Sequence, residues 1–435
     1  MNQHMIDTQG LDQAGLDLLE APALRYFLDY VRYATQADEQ SETCPSSSGQ
    51  WDLARRLLAD LQDLGLEAQI DENGYVMGRL AASPGCEKAP TVGFIAHMDT
   101  ALDLSDAGLR PRVQLYQGQR LSLDPEGLYG LDEETFPQLK ELRGKHLVTT
   151  SGDTLLGADD KAGIAAIMGL LEQLQRRPEL RHGAVAVCFT PDEEIGRGAW
   201  LFDVERFAAD LAYTIDGGPL GELENETFNA ASAQIHIQGR SVHPGTAKGQ
   251  MVNAAMLAAA FISAMPEGES PADTEGREGF FHLSSLQGGV EEAQLHYIIR
   301  DFDKALFQRR KNQIESLVQH FNETLDSPRF SCQIEDQYYN MYEVIERYPA
   351  LMDLARQAME DCGIQPIVRP IRGGTDGCQL SFKGLPCPNL YTGGNNFHGR
   401  YEYLCIEDFL SLQDFLPRLL ELYADQSRDE LMAGN

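Results

Sequence analysis

Apolar side chains recur at every third or fourth position between residues 51 and 64, and Gly65 follows directly. This spacing predicts an amphipathic helix, and a glycine after the last turn is typical of a helix end. A second helix is predicted by a stripe formed by Ile164, Ile167, Met168, Leu171 and Leu174. Each of these helices has one face to bury against other elements.

Four short segments are apolar almost throughout and are bounded by turn residues, as buried strands are. They are residues 91–96, 184–190, 211–215 and 388–392. Helical patterns lie between the strands and after them, including one at residues 349–362, and this alternation is typical of an α/β fold. The sequence therefore predicts an α/β domain with a mixed, mostly parallel sheet and helices on both faces.

The middle of the chain has a different order of elements, βαββαβ, which is typical of a small sheet with helices on one face. The predicted strands are residues 232–238, 280–286, 294–302 and 330–335, and the predicted helices are residues 252–264 and 305–325. We therefore expect residues 225–340 to be a second domain, inserted between residues 1–224 and 341–435 of the first.

The chain has 67 acidic and 35 basic residues and a net charge of −32. Such a charge repels the phosphate backbone of nucleic acids and the surface of an anionic membrane, so we expect neither as a partner. It is typical of a well-solvated surface, and the alternative is a role in attracting cationic substrates.

The first 20 residues have neither a basic start nor an apolar segment, so we expect no secretory signal. The eight cysteines contain no CxxC pair and are spread through apolar strands and loops. Reduced, mostly buried thiols of this kind are typical of a cytoplasmic protein, and we expect that location.

Residues of the types that bind metals follow the predicted strands, and one of them, Asp159, opens the helix predicted to begin near Lys161. The set consists of His97, Asp99, Asp159, Glu193, Glu194, Asp216 and His398. Ligands of open α/β sheets bind beyond the carboxyl ends of the strands, so these side chains are expected to converge there. Taken singly, each has an ordinary alternative, since a histidine at a strand end is often structural and an Asp or Glu often caps a helix.

If these residues converge, they offer nitrogen and oxygen ligands without a thiolate, which suits zinc, with manganese or cobalt as substitutes. A carboxylate that bridges two such ions is typical of sites that generate hydroxide and polarise a carbonyl. The expected reaction is hydrolysis of an amide.

Seven motifs extend this set. They are residues 93–100 (GFIAHMDT), 154–163 (TLLGADDKAG), 189–194 (FTPDEE), 213–218 (YTIDGG), 242–249 (VHPGTAKG), 372–377 (RGGTDG) and 398–399 (HG). In this order they resemble the peptidase T family of tripeptide aminopeptidases, within the wider group of two-zinc exopeptidases and aminoacylases. The similarity runs from about residue 51 to about residue 420, while the first 45 residues and residues 105–139 depart from the pattern.

The resemblance implies two zinc ions per chain. His97, Asp159 and Asp216 would bind one ion, and Asp159, Glu194 and His398 the other, with Asp159 as the bridge. It further implies a catalytic first domain, an inserted domain that acts as a lid, and a cis peptide bond after Asp159.

Further roles are implied for four residues. Glu193 would be the general base that takes a proton from a water bridging the zinc ions, and Asp99 would orient His97 from behind. His243 would stabilise the oxyanion, and Arg372 would bind the C-terminal carboxylate of a short peptide substrate. A homodimer is one assembly that the sequence allows.

Two alternatives remain open. A member of the same two-zinc group hydrolyses N-acyl amino acids or dipeptides with the same kind of centre, whereas a metal-stabilised scaffold protein has no turnover. The presence of Glu193 beside the ligands argues against a scaffold, because a structural site needs no acid or base.

Overall fold

The structure is a computed structural model that describes Asp7 and residues 11–432. Its helices are α1 (Gln13–Leu18), α2 (Pro22–Tyr30), α3 (Ser48–Asp63), α4 (Ala158–Arg176), α5 (Val204–Phe207), α6 (Ala254–Ala264), α7 (Lys304–Thr324), α8 (Tyr342–Ile345), α9 (Pro349–Asp361), α10 (Asp376–Phe382), α11 (Ile406–Leu410), α12 (Leu412–Ala424) and α13 (Arg428–Met432). The helices predicted from apolar spacing are present as α3, α4, α6, α7 and α9.

The strands include all those that the sequence predicts, together with several short ones. They are β1 (Glu67–Ile70), β2 (Val76–Leu80), β3 (Val92–His97), β4 (Arg112–Leu115), β5 (Leu121–Ser122), β6 (Gly130–Leu131), β7 (His146–Thr149), β8 (Val185–Thr190), β9 (Leu211–Gly217), β10 (Glu222–Glu224), β11 (Asn229–Gln238), β12 (Phe280–Gly288), β13 (Glu292–Asp301), β14 (Phe330–Tyr338), β15 (Ile367–Val368), β16 (Asn389–Tyr391), β17 (Gly394–Asn395) and β18 (Tyr403–Cys405).

The described chain divides into two units. The first contains the chain up to Asn225, Glu343–Arg369 and the chain from Thr375 onward, and the second contains Glu226–Tyr342 and Pro370–Gly374.

The first unit is built on an eight-stranded sheet with the order β1-β2-β8-β3-β9-β16-β10-β15. Its central pairs β8/β3, β3/β9 and β9/β16 are parallel, as is β10/β15, and the pairs β1/β2, β2/β8 and β16/β10 are antiparallel. The predicted mixed, mostly parallel sheet is therefore confirmed. The same unit also contains a smaller antiparallel sheet, β17-β18-β7-β4, which the apolar pattern did not predict.

Helices cover both faces of the large sheet, as predicted. On one face Ile95 and Cys188 pack in a core with Phe207 of α5 and Leu380 of α10. On the other face the Tyr213 hydroxyl lies 2.6 Å from the Leu351 carbonyl oxygen of α9 and 2.8 Å from the Tyr423 hydroxyl of α12. The central strands are buried on both sides, which explains their continuous apolar sequence.

The second unit contains an antiparallel sheet with the order β12-β13-β11-β14. Alternate residues of β11, among them Ala233 and Ile235, enter one core with Phe261 of α6 and Ile314 of α7. Both helices therefore pack on the same face of this sheet, and the predicted βαββαβ order is confirmed.

The segment Pro370–Gly374 belongs to the second unit. This differs from the sequence-based expectation, in which the segment is part of the main domain (residues 341–435). Thr227 and Ile371 form a parallel bridge, and the Phe228 amide donates to the Gly373 carbonyl at 3.3 Å. These contacts join positions about 145 residues apart, so local patterning does not reveal them.

Within the part of the chain that the structure describes, every helix is too short or too polar to cross a membrane.

His146 of β7 connects three elements of the first unit. Its Nδ1 lies 2.7 Å from Glu407 Oε1 of α11, and its Nε2 lies 3.0 Å from Oδ1 of Asp12, which caps α1. Burial disfavours the charged ring, but the hydrogen bonds to Glu407 and Asp12 outweigh it and raise the pKa of His146 above its ordinary value. Protonated His146 therefore stabilises the packing of α1 and α11 on the small sheet.

We expect the stability lost in His146→Gln to depend on pH. Because the pKa is raised on folding, the stabilisation is complete below the unfolded value of about 6.5 and disappears as the pH rises through the folded value. The midpoint of thermal unfolding should therefore fall more at pH 6 than at pH 9, relative to the native chain. Equal losses at the two pH values would contradict a charged His146.

Candidate metal centre

Three strands of the first unit end at one edge of the large sheet and place four of the predicted residues there. His97 is the last residue of β3, Asp216 is the penultimate residue of β9, and Glu193 and Glu194 follow β8 within four residues. Because β3 is parallel to both β8 and β9, their carboxyl ends lie side by side. The convergence expected from the sequence is thus present for these residues.

Asp159 and His398 reach the same edge from other segments. Asp159 is in the first turn of α4, and the Asp159–Asp160 peptide bond is cis, as the resemblance implied. His398 lies in the loop between β17 and β18 with a φ of 62°, in the left-handed region.

The Asp159 carboxylate lies between the two imidazoles. Its Oδ1 is 2.9 Å from His97 Nε2, and its Oδ2 is 3.2 Å from His398 Nε2. Each imidazole also contacts a second carboxylate, since His97 Nε2 is 3.4 Å from Asp216 Oδ1 and His398 Nε2 is 3.1 Å from Glu194 Oε2. The five side chains thus form a row with Asp159 at its centre.

The donor set of this row fits metal cations. It contains imidazole nitrogens and carboxylate oxygens, the ligands that zinc, manganese and cobalt accept. Burial raises the pKa of Asp216 to about 7 and that of Glu194 to about 7, and the neighbouring Asp159 charge adds to both shifts. Within the described chain Glu194 Oε1 is buried without a hydrogen-bond partner. Buried carboxylates crowded in this way are stabilised by nearby positive charge.

Asp160 is a further carboxylate near His97 that the sequence analysis did not propose as a ligand. Ligand atoms of His97, Asp160 and Asp216 lie within 4.8 Å of one another, as do those of His97, Asp159 and Glu194. However, Asp160 Oδ2 accepts from the His97 amide at 3.2 Å, and its Oδ1 accepts from the Gly163 amide at 3.0 Å. Asp160 therefore already joins the backbone of β3 to α4, whereas Asp159 faces the imidazoles.

Asp99 lies fully buried behind His97 and contacts more than the imidazole. Its Oδ1 is 3.4 Å from His97 Nδ1, and its two oxygens accept from the Glu193 and Glu194 amides, each at 3.0 Å. The nearer partner of His97 Nδ1 is the Asp99 backbone carbonyl oxygen at 3.1 Å. The backbone of Asp99 therefore orients the imidazole, and its carboxylate holds the turn that contains both glutamates, a role that the sequence does not predict.

Glu193 lies half-buried in that turn. Burial, together with the charges of Asp216, Asp376 and Glu194, raises its pKa well above its usual range. The residue before it, Asp192, accepts from the Ser46 amide at 2.8 Å and from Gln50 Nε2 at 2.7 Å. The turn is thus held from both sides.

Two buried carboxylates near the centre were not identified from the sequence. Asp376 accepts from the Thr190 hydroxyl at 2.7 Å, and Glu402 accepts from three backbone amides around Asp159. Both lie within or just after motifs already noted, Asp376 in residues 372–377 and Glu402 four positions after His398. The sequence signal that could have identified these two residues is an acidic side chain within or just after a motif.

His243 is an exposed residue of the second unit. Its Nδ1 accepts from the Gly245 amide at 3.1 Å, so the ring proton of the neutral imidazole is on Nε2. His243 therefore offers an N–H donor in its neutral form.

Arg372 also belongs to the second unit, where its guanidinium binds residues 274–278. Nη1 donates to the Gly276 and Glu278 carbonyls at 2.8 and 3.0 Å, and Nη2 donates to the Thr274 hydroxyl at 3.0 Å. The guanidinium also lies over the rings of Phe228 and Phe280. Binding a substrate carboxylate would require these nitrogens to exchange partners.

Comparison with known proteins is consistent with this centre. The model of "Peptidase family M20/M25/M40" matches residues 153–422. The peptidase T of Geobacillus kaustophilus (strain HTA426) is 49% identical over 403 residues, which cover 92% of this chain and 98% of that relative.

Solved structures of more distant proteins have the same fold. A tripeptidase from Staphylococcus aureus subsp. aureus Mu50 has a TM-score of 0.73 at 22% identity, covering 93% of this chain and 98% of its own. A Bacillus subtilis protein described as a dinuclear metal binding peptidase from the M20 family has a TM-score of 0.61 at 14% identity, covering 94% and 99%. With the 49% identity over nearly the whole of both chains, the chain belongs to the peptidase T family, within the M20/M25/M40 peptidases.

Proposed function

We propose that this chain is a two-metal aminopeptidase that removes the N-terminal residue from short peptides, chiefly tripeptides. The observation that supports it most strongly is the row of five ligand-type side chains with Asp159 between His97 and His398. A carboxylate that contacts one imidazole at each of its two oxygens would let two metal ions share it as a ligand.

The two ions would share Asp159. His97 and Asp216 would complete one site, and Glu194 and His398 the other. We propose zinc, with cobalt or manganese as substitutes, since the donors are nitrogen and oxygen alone. When bound, the metals supply Lewis acidity and lower the pKa of a bound water to about 7.

Proton transfer is assigned to Glu193. Its carboxylate takes the proton from the attacking water and returns it to the amine that leaves when the peptide bond breaks. The backbone contacts that fix this turn come from Asp99, whose oxygens accept from the Glu193 and Glu194 amides. Asp99 also fixes the His97 tautomer, because its carbonyl oxygen, 3.1 Å from Nδ1, and its carboxylate, 3.4 Å away, favour a proton on Nδ1 and leave Nε2 as the ligand.

The remaining roles concern the substrate. We assign to His243 the donation of its Nε2–H to the carbonyl oxygen as negative charge develops there. We assign to Arg372 the C-terminal carboxylate, for which a planar guanidinium is the suitable partner. Contacts at both ends of a peptide favour one chain length, and a tripeptidase is among the solved proteins with this fold.

The proposal is tested by the ratio kcat/KM for Ala-Ala-Ala, Ala-Ala, Ala-Ala-Ala-Ala, N-acetyl-Ala-Ala-Ala and N-acetyl-alanine. We expect the free tripeptide to be fastest and its N-acetyl form to be slower by about 100-fold or more, because polar partners of the missing ammonium are left unpaired. Faster hydrolysis of N-acetyl-alanine or Ala-Ala would favour the aminoacylase or dipeptidase alternative. A chain that binds metals and hydrolyses none of these peptides would support a scaffold.

The same panel tests Arg372 when it includes Ala-Ala-Ala amidated at its C-terminus. If Arg372 binds the carboxylate, Arg372→Ala should lower kcat/KM for the free tripeptide by the equivalent of about 1.5–3 kcal/mol and change that for the amide little. Equal losses for the two substrates would instead assign Arg372 to holding residues 274–278.

We also propose a cytoplasmic location, which is supported by the eight cysteines, all of them free thiols. A homodimer stays a prediction that sedimentation of the purified chain would test.

A further inference from the structure

Glu402 is a buried carboxylate, 1% exposed, that none of the proposed catalytic steps uses. Its Oε2 accepts from the Leu156 amide at 2.8 Å and from the Gly157 amide at 2.9 Å, and its Oε1 accepts from the Asp159 amide at 3.1 Å. Three backbone donors of the segment that ends at Asp159 are thus satisfied by one side chain about 245 residues away.

The backbone around Asp159 is not regular helix. Asp159 (φ −85°, ψ 103°) and Asp160 (φ −125°, ψ 36°) have non-helical angles inside α4, and Asp160 caps the regular turns that follow, because its Oδ1 accepts from the Gly163 amide at 3.0 Å. The three amides that Glu402 binds therefore precede the regular helix, and buried amides outside a helix or sheet need another acceptor. Glu402 supplies this acceptor from another part of the chain.

Glu402 is also close in sequence to a proposed ligand. It is four residues after His398, in the loop that returns to β18. The same short loop therefore presents one imidazole to Asp159 and binds the backbone amide of Asp159 itself. Contacts at two points fix the distance between these two ligand residues more firmly than one contact alone.

We infer that Glu402 is a positioning residue that holds Asp159 in register with His398 and thereby sets the affinity for both metals. The inference rests on the proposed two-metal centre. Partners that orient metal ligands are typically worth 10- to 100-fold in metal affinity, so the loss of such a partner has a measurable consequence apart from activity.

Glu402→Gln is the informative variant because it retains the size of the side chain. The amide keeps one acceptor oxygen, but its NH₂ group faces a backbone N–H in place of the second oxygen. We expect the zinc-loaded Glu402→Gln variant to release its zinc to a chelating dye at a dye concentration about 10- to 100-fold lower than the native holoenzyme requires. The visible spectrum of the cobalt-substituted protein should change as well, because the geometry around Asp159 changes.

Glu407→Gln is the matched control. Glu407 is also a partly buried carboxylate, and it accepts from the His146 amide at 2.9 Å and contacts no proposed ligand. This variant should have a lower thermal midpoint and native metal release and cobalt spectrum. If Glu402→Gln behaves in the same way, Glu402 contributes only to the stability of the fold and the inference is wrong. A native chain that binds no metal would instead overturn the proposed function itself.

Discussion

Replacing Glu193 by Gln should lower kcat for Ala-Ala-Ala by about 10²–10⁴-fold, the usual effect of losing a general base, while the metal content stays at the native level. The amide has nearly the size and shape of the carboxylate, but it cannot take a proton from water. The backbone of the turn is unaffected, because Asp99 binds the amides of residues 193 and 194 and not their side chains.

The adjacent Glu194 provides the matched control for this experiment. Glu194→Gln makes the same chemical change one residue away, in a side chain that lies 3.1 Å from His398 Nε2. This variant should lose metal, whereas Glu193→Gln should retain it. Native turnover in Glu193→Gln, or metal loss equal to that of Glu194→Gln, would show that Glu193 is not the base.

The parts of the fold that the sequence predicts are those with a strong local pattern. The central strands β3, β8 and β9 are buried on both faces, so their sequences are almost continuously apolar, and each ends within four residues of a metal-type residue. The ends of parallel strands meet at one edge, so the order of motifs alone predicts which residues converge. The convergence of His97, Glu193, Glu194 and Asp216 follows from this rule, whereas Asp159 and His398 reach the same edge from a helix start and a loop.

The parts that the sequence does not predict depend on contacts between distant positions. Strands such as β15 and β17 have two residues each, too few to form an alternating pattern. The segment Pro370–Gly374 joins the second unit through backbone bonds, which any side chain permits.

Buried carboxylates that bind backbone amides are missed for a related reason. In the sequence, Asp192 and Glu402 look the same as solvated surface carboxylates. Only the fold brings Ser46 and Gln50 to Asp192 and backbone amides to Glu402. Conversely, the resemblance implies that Arg372 binds a substrate carboxylate, and the structure places carbonyl and hydroxyl oxygens of residues 274–278 against its donors.

Asp159→Asn should remove both metals, because Asp159 contacts both His97 and His398. The amide removes the negative charge and replaces one ligand oxygen by a nitrogen that cannot coordinate. Since partners that merely orient ligands are worth 10- to 100-fold, losing the shared ligand itself should weaken metal binding by more than about 100-fold. Turnover of Ala-Ala-Ala should fall to the background rate.

The matched variant is Asp216→Asn. It makes the same chemical change at a carboxylate that contacts His97 and is proposed to bind one metal only. This variant should weaken mainly one site. Circular dichroism of both variants should match the native spectrum, so that metal loss is not a consequence of unfolding.

The central claim is that two metals share Asp159, and metal analysis of the three dialysed proteins tests it most directly. The expected result is two zinc ions per native chain, about one per chain of the Asp216→Asn variant, and almost none per chain of the Asp159→Asn variant. Retention of two tightly bound ions by a folded Asp159→Asn chain would contradict the shared ligand and with it the two-metal centre proposed above.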